Sequence, residues 1–417
     1  MPGIQQIPVF PPFAVELVYP AGADPWDATP TKVAPVPDYF LPDTKPPAQW
    51  FNHIFNAASA STWYANGAAQ TVAALNWAVA TSAAVTLSSG GLEAACWEPR
   101  SSQWWVAAVT GGNSIVLWTH QLPGDALWVS TGTSVSVTPK SNATPNQAFG
   151  ALAPDPTTAG KVWLGIVTTA THCSVWSYAA GSYTARTAVT CATGQATVVM
   201  HTYNGHVLIG LGSQAAADAK IYLQPDDTTA LTGVTASVWR FADNGSVCVA
   251  MPAFTTAPAT YWTSPDGVTW TGNALGFLSA GEQIFGVVAT QDAYGPCFLV
   301  GINQASGGTP RFVVSHATAP FSWSPQATTS TMAQGTGMVA NDGSAIVVAT
   351  TDTHTTGFSV DGGLSWYPAY AAALLANNAT STFYEPPTLA GSGVGYLHFN
   401  AASVRLSLLE GLPQASM

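Results

Sequence analysis

The chain has 417 residues, of which only 7% are charged, and its 21 Asp and Glu against 10 Lys and Arg leave a net charge of −11. With no cluster of basic residues, a nucleic-acid-binding surface is not expected, because affinity for phosphates comes chiefly from grouped Lys and Arg. No apolar run reaches the ~18 residues of a spanning helix, and Met1-Pro2-Gly3 with a first basic residue at Lys32 lacks the charged start of a secretory signal, so cytoplasmic synthesis without membrane insertion is expected.

Twelve of the 30 prolines fall in the first 47 residues, which fixes φ and removes backbone donors every few positions. Residues 1–45 are therefore expected to be extended, as a tail or as an arm laid on another subunit. Phe10, Phe13, Tyr19, Trp26, Tyr39 and Phe40 favour the arm, since a solvated tail gains nothing from aromatics. The next stretch, 46–83, reads as a helical linker or anchor. Asp43 or Thr44 is a plausible cap, Pro46 and Pro47 suit a first turn, and Phe51, Ile54, Phe55 and Ala58 form a stripe that Val72, Leu75 and Val79 continue. Such a helix serves either as packing on the following domain or as an assembly contact.

From about residue 84 to 417 the helical period gives way to short Val, Ile, Trp and Tyr runs bounded by Gly, Pro, Asn and Asp. Paired apolar runs recur in one order: 94–97 with 104–107, 148–151 with 162–165, 198–200 with 206–209, and 238–241 with 246–249. They continue at 284–287 with 297–300, 337–340 with 345–348, and 387–390 with 395–398. The spacing of roughly 40–55 residues is that of propeller blades, so the expected fold is all-β, a seven-bladed β-propeller behind a Pro-rich arm and a short helical segment. The last unit lacks an outer strand, and Ala84–Leu87 is expected to supply it and close the ring.

Outer hairpins give a second register, running from Trp118 to Trp128, Trp176 to Tyr183, Trp262 to Trp270, Val314 to Trp323 and Phe358 to Trp366. Two of their turns, Ser264-Pro265-Asp266-Gly267-Val268-Thr269-Trp270 and Ser359-Val360-Asp361-Gly362-Gly363-Leu364-Ser365-Trp366, resemble the Asp-box of sialidase-like propellers. In that motif the Asp accepts N–H groups of its own turn, Gly supplies a positive φ, and Trp fills the space between sheets. Ser264, Asp266, Gly267, Trp270, Ser359, Asp361, Gly363 and Trp366 are thus assigned structural roles. The resemblance does not extend to catalysis. Sialidases grip a substrate carboxylate with clustered arginines, whereas Arg100, Arg186, Arg240, Arg311 and Arg405 occupy differing strand positions.

Other chemistry is no better supported by the sequence. Glu16, Glu93, Glu98, Glu282, Glu385 and Glu410 offer no matched pair for glycoside hydrolysis. His201 and His206 read as solvated residues flanking a turn rather than metal ligands, and Asp226-Asp227 as a hairpin tip that could also hold a cation. Gly210-Leu211-Gly212 precedes no helix, so no phosphate loop is expected. Cys248 and Cys297 read as small core residues, and Cys173 with Cys191 as facing thiols in one blade. No catalytic residue, cofactor or metal is expected.

The stretch Pro46-Pro47-Ala48-Gln49-Trp50-Phe51-Asn52-His53-Ile54-Phe55-Asn56 resembles a segment near the N-termini of tail and fibre proteins of tailed bacteriophages. That resemblance implies a virion protein made in the host cytoplasm, a homo-oligomeric tail component. Its partners would be other tail proteins and copies of itself, and Pro46, Pro47, Trp50, Phe51, Asn52, Ile54 and Phe55 would form the assembly anchor. The rival expectation is a propeller that binds or degrades carbohydrate, with a host surface glycan stacked on Trp26, Trp128 or Tyr183.

Overall fold

Alternation writes the strands. Along Ala94–Glu98 the first, third and fifth residues are buried and the others half-buried, the period-two pattern of a strand with one face against a neighbouring sheet. The computed structural model describes residues 76–79, 94–110, 114–121, 128–138, 150–191, 196–213, 218–255, 258–292, 294–305, 309–316, 321–326, 335–340, 347–351, 356–359, 361–368, 388–389, 395–400 and 403–410. The arm of 1–45, the anchor residues Pro46, Pro47, Trp50, Phe51, Asn52, Ile54 and Phe55, and the segment 84–87 lie outside them.

Seven antiparallel sheets follow one another along the chain, and each is a blade with strands a to d numbered outward. Blade 1 is Ala94–Glu98, Gln103–Thr110, Ser114–Gln121 and Val129–Ser136. Blade 2 is Gly150–Pro154, Val162–Thr169, His172–Ala179 and an interrupted outer strand, Ser182–Ala185 with Val189–Thr190. Blade 3 is Ala196–Tyr203, His206–Ser213, Ala219–Gln224 and Thr228–Val234, and blade 4 is Val238–Asp243, Cys248–Ala253, Thr260–Ser264 and Thr271–Ala274. Blade 5 is Gln283–Asp292, Gly295–Asn303, Arg311–Ser315 and Ser324–Gln326, and blade 6 is Gly335–Ala340, Val347–Thr351, Thr356–Ser359 and Tyr367–Pro368. Blade 7 is Thr388–Leu389, Gly395–Asn400, Ser403–Glu410 and, from the other end of the chain, Asn76–Val79. Among the described residues, each expected inner strand pair overlaps the a and b strands of one blade.

The a strands touch in sequence from blade 1 to blade 7, and the a strand of blade 7 touches that of blade 1, so the ring closes. Its fastening differs from the expectation. Asn76–Val79, not Ala84–Leu87, pairs with the last strand, in the register Asn76 to Glu410, Trp77 to Leu409, Ala78 to Leu408 and Val79 to Ser407. The reason is an ambiguity of period: Val72, Leu75 and Val79 fit a helix, but Trp77 and Val79 equally fit a strand. An unpaired edge on Ser403–Glu410 then decides the matter. The expected helix therefore does not run through 76–79, and the propeller takes its outer strand from inside the stretch read as a linker.

The core lies between blades. Trp163, Cys173, Val198, Met200 and Ile209 join blades 2 and 3, Trp239, Leu208 and Ile221 join blades 3 and 4, and Phe285, Phe312, Met338 and Trp366 join blades 5 and 6. Trp104, Trp163 and Trp239 are fully buried. An aromatic side chain of this size buries ~150–250 Å², which at ~25 cal/mol per Å² favours folding by up to about 4–6 kcal/mol before entropy is counted. Glycine sets how closely blades approach. A Cβ on Gly212 would lie 2.3 Å from the Ser237 carbonyl oxygen of the next blade.

Candidate functional site

In blades 1, 2 and 4 the a strand runs into strand b through a turn, and the polar residue at that end is committed to it. The buried Glu98 carboxylate accepts the N–H groups of Arg100 (3.0 Å) and Ser101 (2.8 Å), and that of Gly160 in blade 2 (3.3 Å). Asp155 accepts Thr157 and Thr158 N–H (3.0 and 2.9 Å), the Trp163 indole N–H (2.8 Å) and the Lys161 ammonium (2.8 Å). Burial pushes the Asp155 carboxyl up, but the bonds from Lys161, Trp163 and Thr157 outweigh it and hold the group far below the usual carboxylate range. Asp243 accepts Gly245 N–H (3.0 Å), and Asn244 accepts those of Ser246 and Val247 (3.1 and 3.0 Å).

Side chains from these turns also fasten adjacent blades. The Arg100 guanidinium donates to the carbonyls of Asp155 (2.7 Å) and Pro156, and Thr202 Oγ1 donates to that of Pro154 (2.6 Å). His201 Nε2 lies 2.7 Å from Asp243 Oδ2, with its ring stacked on Phe241 at 5.8 Å between centroids. Burial raises the Asp243 pKa, and the bond and charge of His201 with the Gly245 N–H more than reverse this. His201 is thus an interblade link and not the solvated turn residue expected from sequence. His206 Nδ1 lies 3.2 Å from Asp226 Oδ2 at the hairpin tip, and Asp227 pairs with Arg186 of blade 2 at 3.3 Å.

Inside this rim is a cavity of about 680 Å³ whose wall includes Trp97, Met200, His201, Arg240, Phe241 and Met338, residues of the a strands. Arg240 is buried, donating from Nε to the Phe285 carbonyl (3.4 Å) and from Nη1 to that of Trp239 (3.3 Å), with its guanidinium 5.8 Å from the Phe254 ring centre. Arg240 thus lines the cavity with its guanidinium engaged by backbone carbonyls, and Trp97, Tyr203 and Phe241 supply aromatic wall. This grouping was not legible in the sequence. Its residues come from different blades and no short spacing links them.

The two Ser-x-Asp turns lie apart, at the c–d hairpins of blades 4 and 6. In blade 4, Asp266 Oδ1 accepts Thr269 N–H (2.7 Å), Val268 N–H (2.8 Å) and the Ser264 hydroxyl (3.0 Å), while Gly267 has φ +81° and the Trp270 indole donates to its carbonyl (3.0 Å). The Thr269 N–H foremost, with that of Val268 and the Ser264 hydroxyl, holds Asp266 at about 2 against the upward push of burial. In blade 6, Asp361 Oδ1 accepts Ser365 N–H (2.9 Å) and the Ser359 hydroxyl (2.7 Å), and Ser359 Oγ accepts Gly363 N–H (2.8 Å). Trp366 donates to the Gly363 carbonyl (2.9 Å) and stacks on Phe312 of blade 5 at 4.7 Å. Both turns abut the a–b turn of the preceding blade, Tyr203 O–H donating to the Pro265 carbonyl (2.9 Å), and Gly362 lying too close to Gln291 for any Cβ.

Trp128 and Tyr183, sugar platforms only in the rival reading, take the core or interface role that such residues more often have. Trp128 is buried, and Tyr183 packs edge-on against Tyr178 at 4.9 Å in the core of blades 1 and 2. All five cysteines are buried and outside any disulfide, and burial pushes the thiols of Cys173 and Cys297 up to about 12. Glu282 is held low chiefly by Arg311, whose Nε donates to it at 2.7 Å.

No protein-family model and no curated protein sequence matches the chain. In three dimensions it is similar to YCF48 from Cyanidioschyzon merolae, at 12% identity and a TM-score of 0.48 over 80% of this chain and 98% of that one. It is similar also to YCF48 bound to D1 peptide, at 13% identity and a TM-score of 0.51 over 80% and 94%. A third likeness is to Chaetomium thermophilum Raptor, at 11% identity and a TM-score of 0.44 over 82% of this chain and 30% of that one. At such identities the likeness to YCF48 establishes the fold, an all-β propeller, and nothing of function.

Proposed function

We propose that the chain is a non-enzymatic structural protein of a tailed-bacteriophage virion. It would be a homo-oligomeric tail component of fibre, nozzle or appendage type, docked through its N-terminal arm, with the propeller as a structural or host-binding platform. The observation that carries this reading is how the acidic groups are spent. Asp155, Asp243, Asp266 and Glu282 are all held below their ordinary pKa by turn N–H groups or cationic partners. A general acid at neutral pH needs the opposite shift, so these carboxylates serve rigidity. The arm and the Pro46–Asn56 stretch supply the viral assignment. Mass spectrometry and cryo-electron microscopy of purified particles test it: the protein should appear in the tail in several copies, and its absence from particles refutes the proposal.

A second reading, favoured by the cavity and its buried Arg240, is a carbohydrate-binding or glycan-degrading propeller whose ligand is an acidic host glycan. Binding on a glycan array that falls tenfold or more (about 1.4 kcal/mol) in Arg240→Gln supports it. Binding unchanged by that substitution removes the cavity from consideration.

A further inference from the structure

In blade 5 the ladder brings three different donor groups to one end of the sheet. Thr290 lies opposite Cys297 and Asp292 opposite Gly295, while Phe298 lies opposite Ser315. The start of strand b is therefore flanked by the end of strand a on one side and by His316, the residue after Ser315, on the other. His316 Nε2 is 2.8 Å from both Asp292 oxygens, and the donor atoms of Asp292, Cys297 and His316 all fall within 4.8 Å of one another. The Asp292 side chain is 2% exposed and that of His316 34%, so the group is closed toward the core and open at the rim. Tyr294 N–H donates to Asp292 Oδ1 (2.8 Å), and the Tyr294 ring packs edge-on against His316.

We propose that Asp292, Cys297 and His316 form a binding site for a divalent transition-metal ion of the zinc class, with water in the remaining position. One thiolate, one imidazole and one carboxylate are the donor set that zinc accepts in tetrahedral geometry, whereas calcium and magnesium take oxygen ligands. The Tyr294 N–H, bonded to the same carboxylate, is the kind of outer contact that orients a ligand. When the ion binds, the Cys297 S–H bond breaks, its proton leaves to solvent and a sulfur–metal bond forms. The metal takes the place of the proton on His316 Nε2; from the neutral ring that proton passes through solvent to Nδ1, and from the cation it leaves to solvent, so the bound ring is neutral with one proton on Nδ1. No electrons are transferred. The competing account is a structural His–Asp pair beside an inert thiol.

Cobalt(II) titrated into the reduced full-length chain separates the two, because only a thiolate ligand gives a near-ultraviolet sulfur-to-cobalt charge-transfer band. The band should saturate at one ion per chain, be displaced by zinc but not by calcium, and vanish in Cys297→Ser. His316→Ala, at the rim where folding is least disturbed, should weaken binding at least about 100-fold, the upper end of what loss of an outer contact costs. It should also abolish the zinc-dependent rise in melting temperature. A wild-type chain with no band, a band that survives Cys297→Ser, or unchanged binding in His316→Ala overturns the proposal.

Discussion

Removing Asn76–Val79 should open the ring. These residues form the outer strand of blade 7 and pair with Ser407–Glu410. An antiparallel ladder of this length holds about four backbone hydrogen bonds, and at ~1 kcal/mol net each their loss costs about 4 kcal/mol. That is a large share of the ~5–15 kcal/mol typical of a folded domain, and it leaves Ser403–Glu410 as an unpaired edge. The comparison is between a chain starting at Leu75, where the contact pattern divides Met1–Ala74 from Leu75–Met417, and one starting at Ala80. Urea unfolding reads the stability difference at constant m, and size-exclusion chromatography reads edge-to-edge association. The shorter chain should unfold at lower urea and self-associate. Equal midpoints and equal elution would refute the closure argued here and return the role to Ala84–Leu87.

Asp361→Ala should destabilise by about 1–3 kcal/mol, since the part-buried Ser365 N–H and the buried Ser359 O–H lose their shared acceptor; a urea-unfolding free energy within about 0.5 kcal/mol of wild type contradicts this. Asp266 has its folded pKa depressed to about 2, so the stability it adds is present above the unfolded value of ~3.9 and is lost as pH falls through about 2. The stability gap between wild type and Asp266→Asn should therefore shrink between roughly pH 5 and pH 2, and a pH-independent gap in denaturant titrations would be inconsistent with the turn bonding. Gly212→Ala places a Cβ 2.3 Å from the Ser237 carbonyl oxygen and should cost about 1–3 kcal/mol by overpacking, read as a lowered thermal midpoint.

The blades were legible because their inner strands are apolar, short and punctuated, as at Ala94–Glu98 and Gln103–Thr110, and because a fixed order repeats. The closing strand is not legible in the same way. Four residues around Trp77 carry too few positions to separate a period of 3.6 from a period of 2, and only the partner at the far end of the chain resolves them. For Tyr183, a hairpin-flanking position says nothing about the blade 1 residues it packs with, so its burial is not legible from sequence. The rim contacts, such as His201 with Asp243 and Arg100 with Asp155, depend on which blades are adjacent and on how far each turn projects. Those are properties of the closed ring.

With only 10 Lys and Arg in 417 residues, the chain cannot protect its outer strands from edge pairing by studding them with lysine. It uses shape and proline instead. The outer strand of blade 5 is the three-residue Ser324–Gln326 with Pro325 at its centre, that of blade 6 is Tyr367–Pro368, and that of blade 2 is broken between Ala185 and Val189. Proline donates no ladder bond, and a two- or three-residue edge is too short to template a partner strand. The longer outer strand of blade 1, Val129–Ser136, is built from Thr, Ser and Gly between its valines, so the face it presents is polar rather than sticky. In the a–b turns of blades 1, 2 and 4, Glu98, Asp155 and Asp243 cap N–H groups, and Arg100 crosses to the next blade. At that end of the ring these side chains partner backbone groups of the turns, which ties each turn to its own strand and to the neighbouring blade.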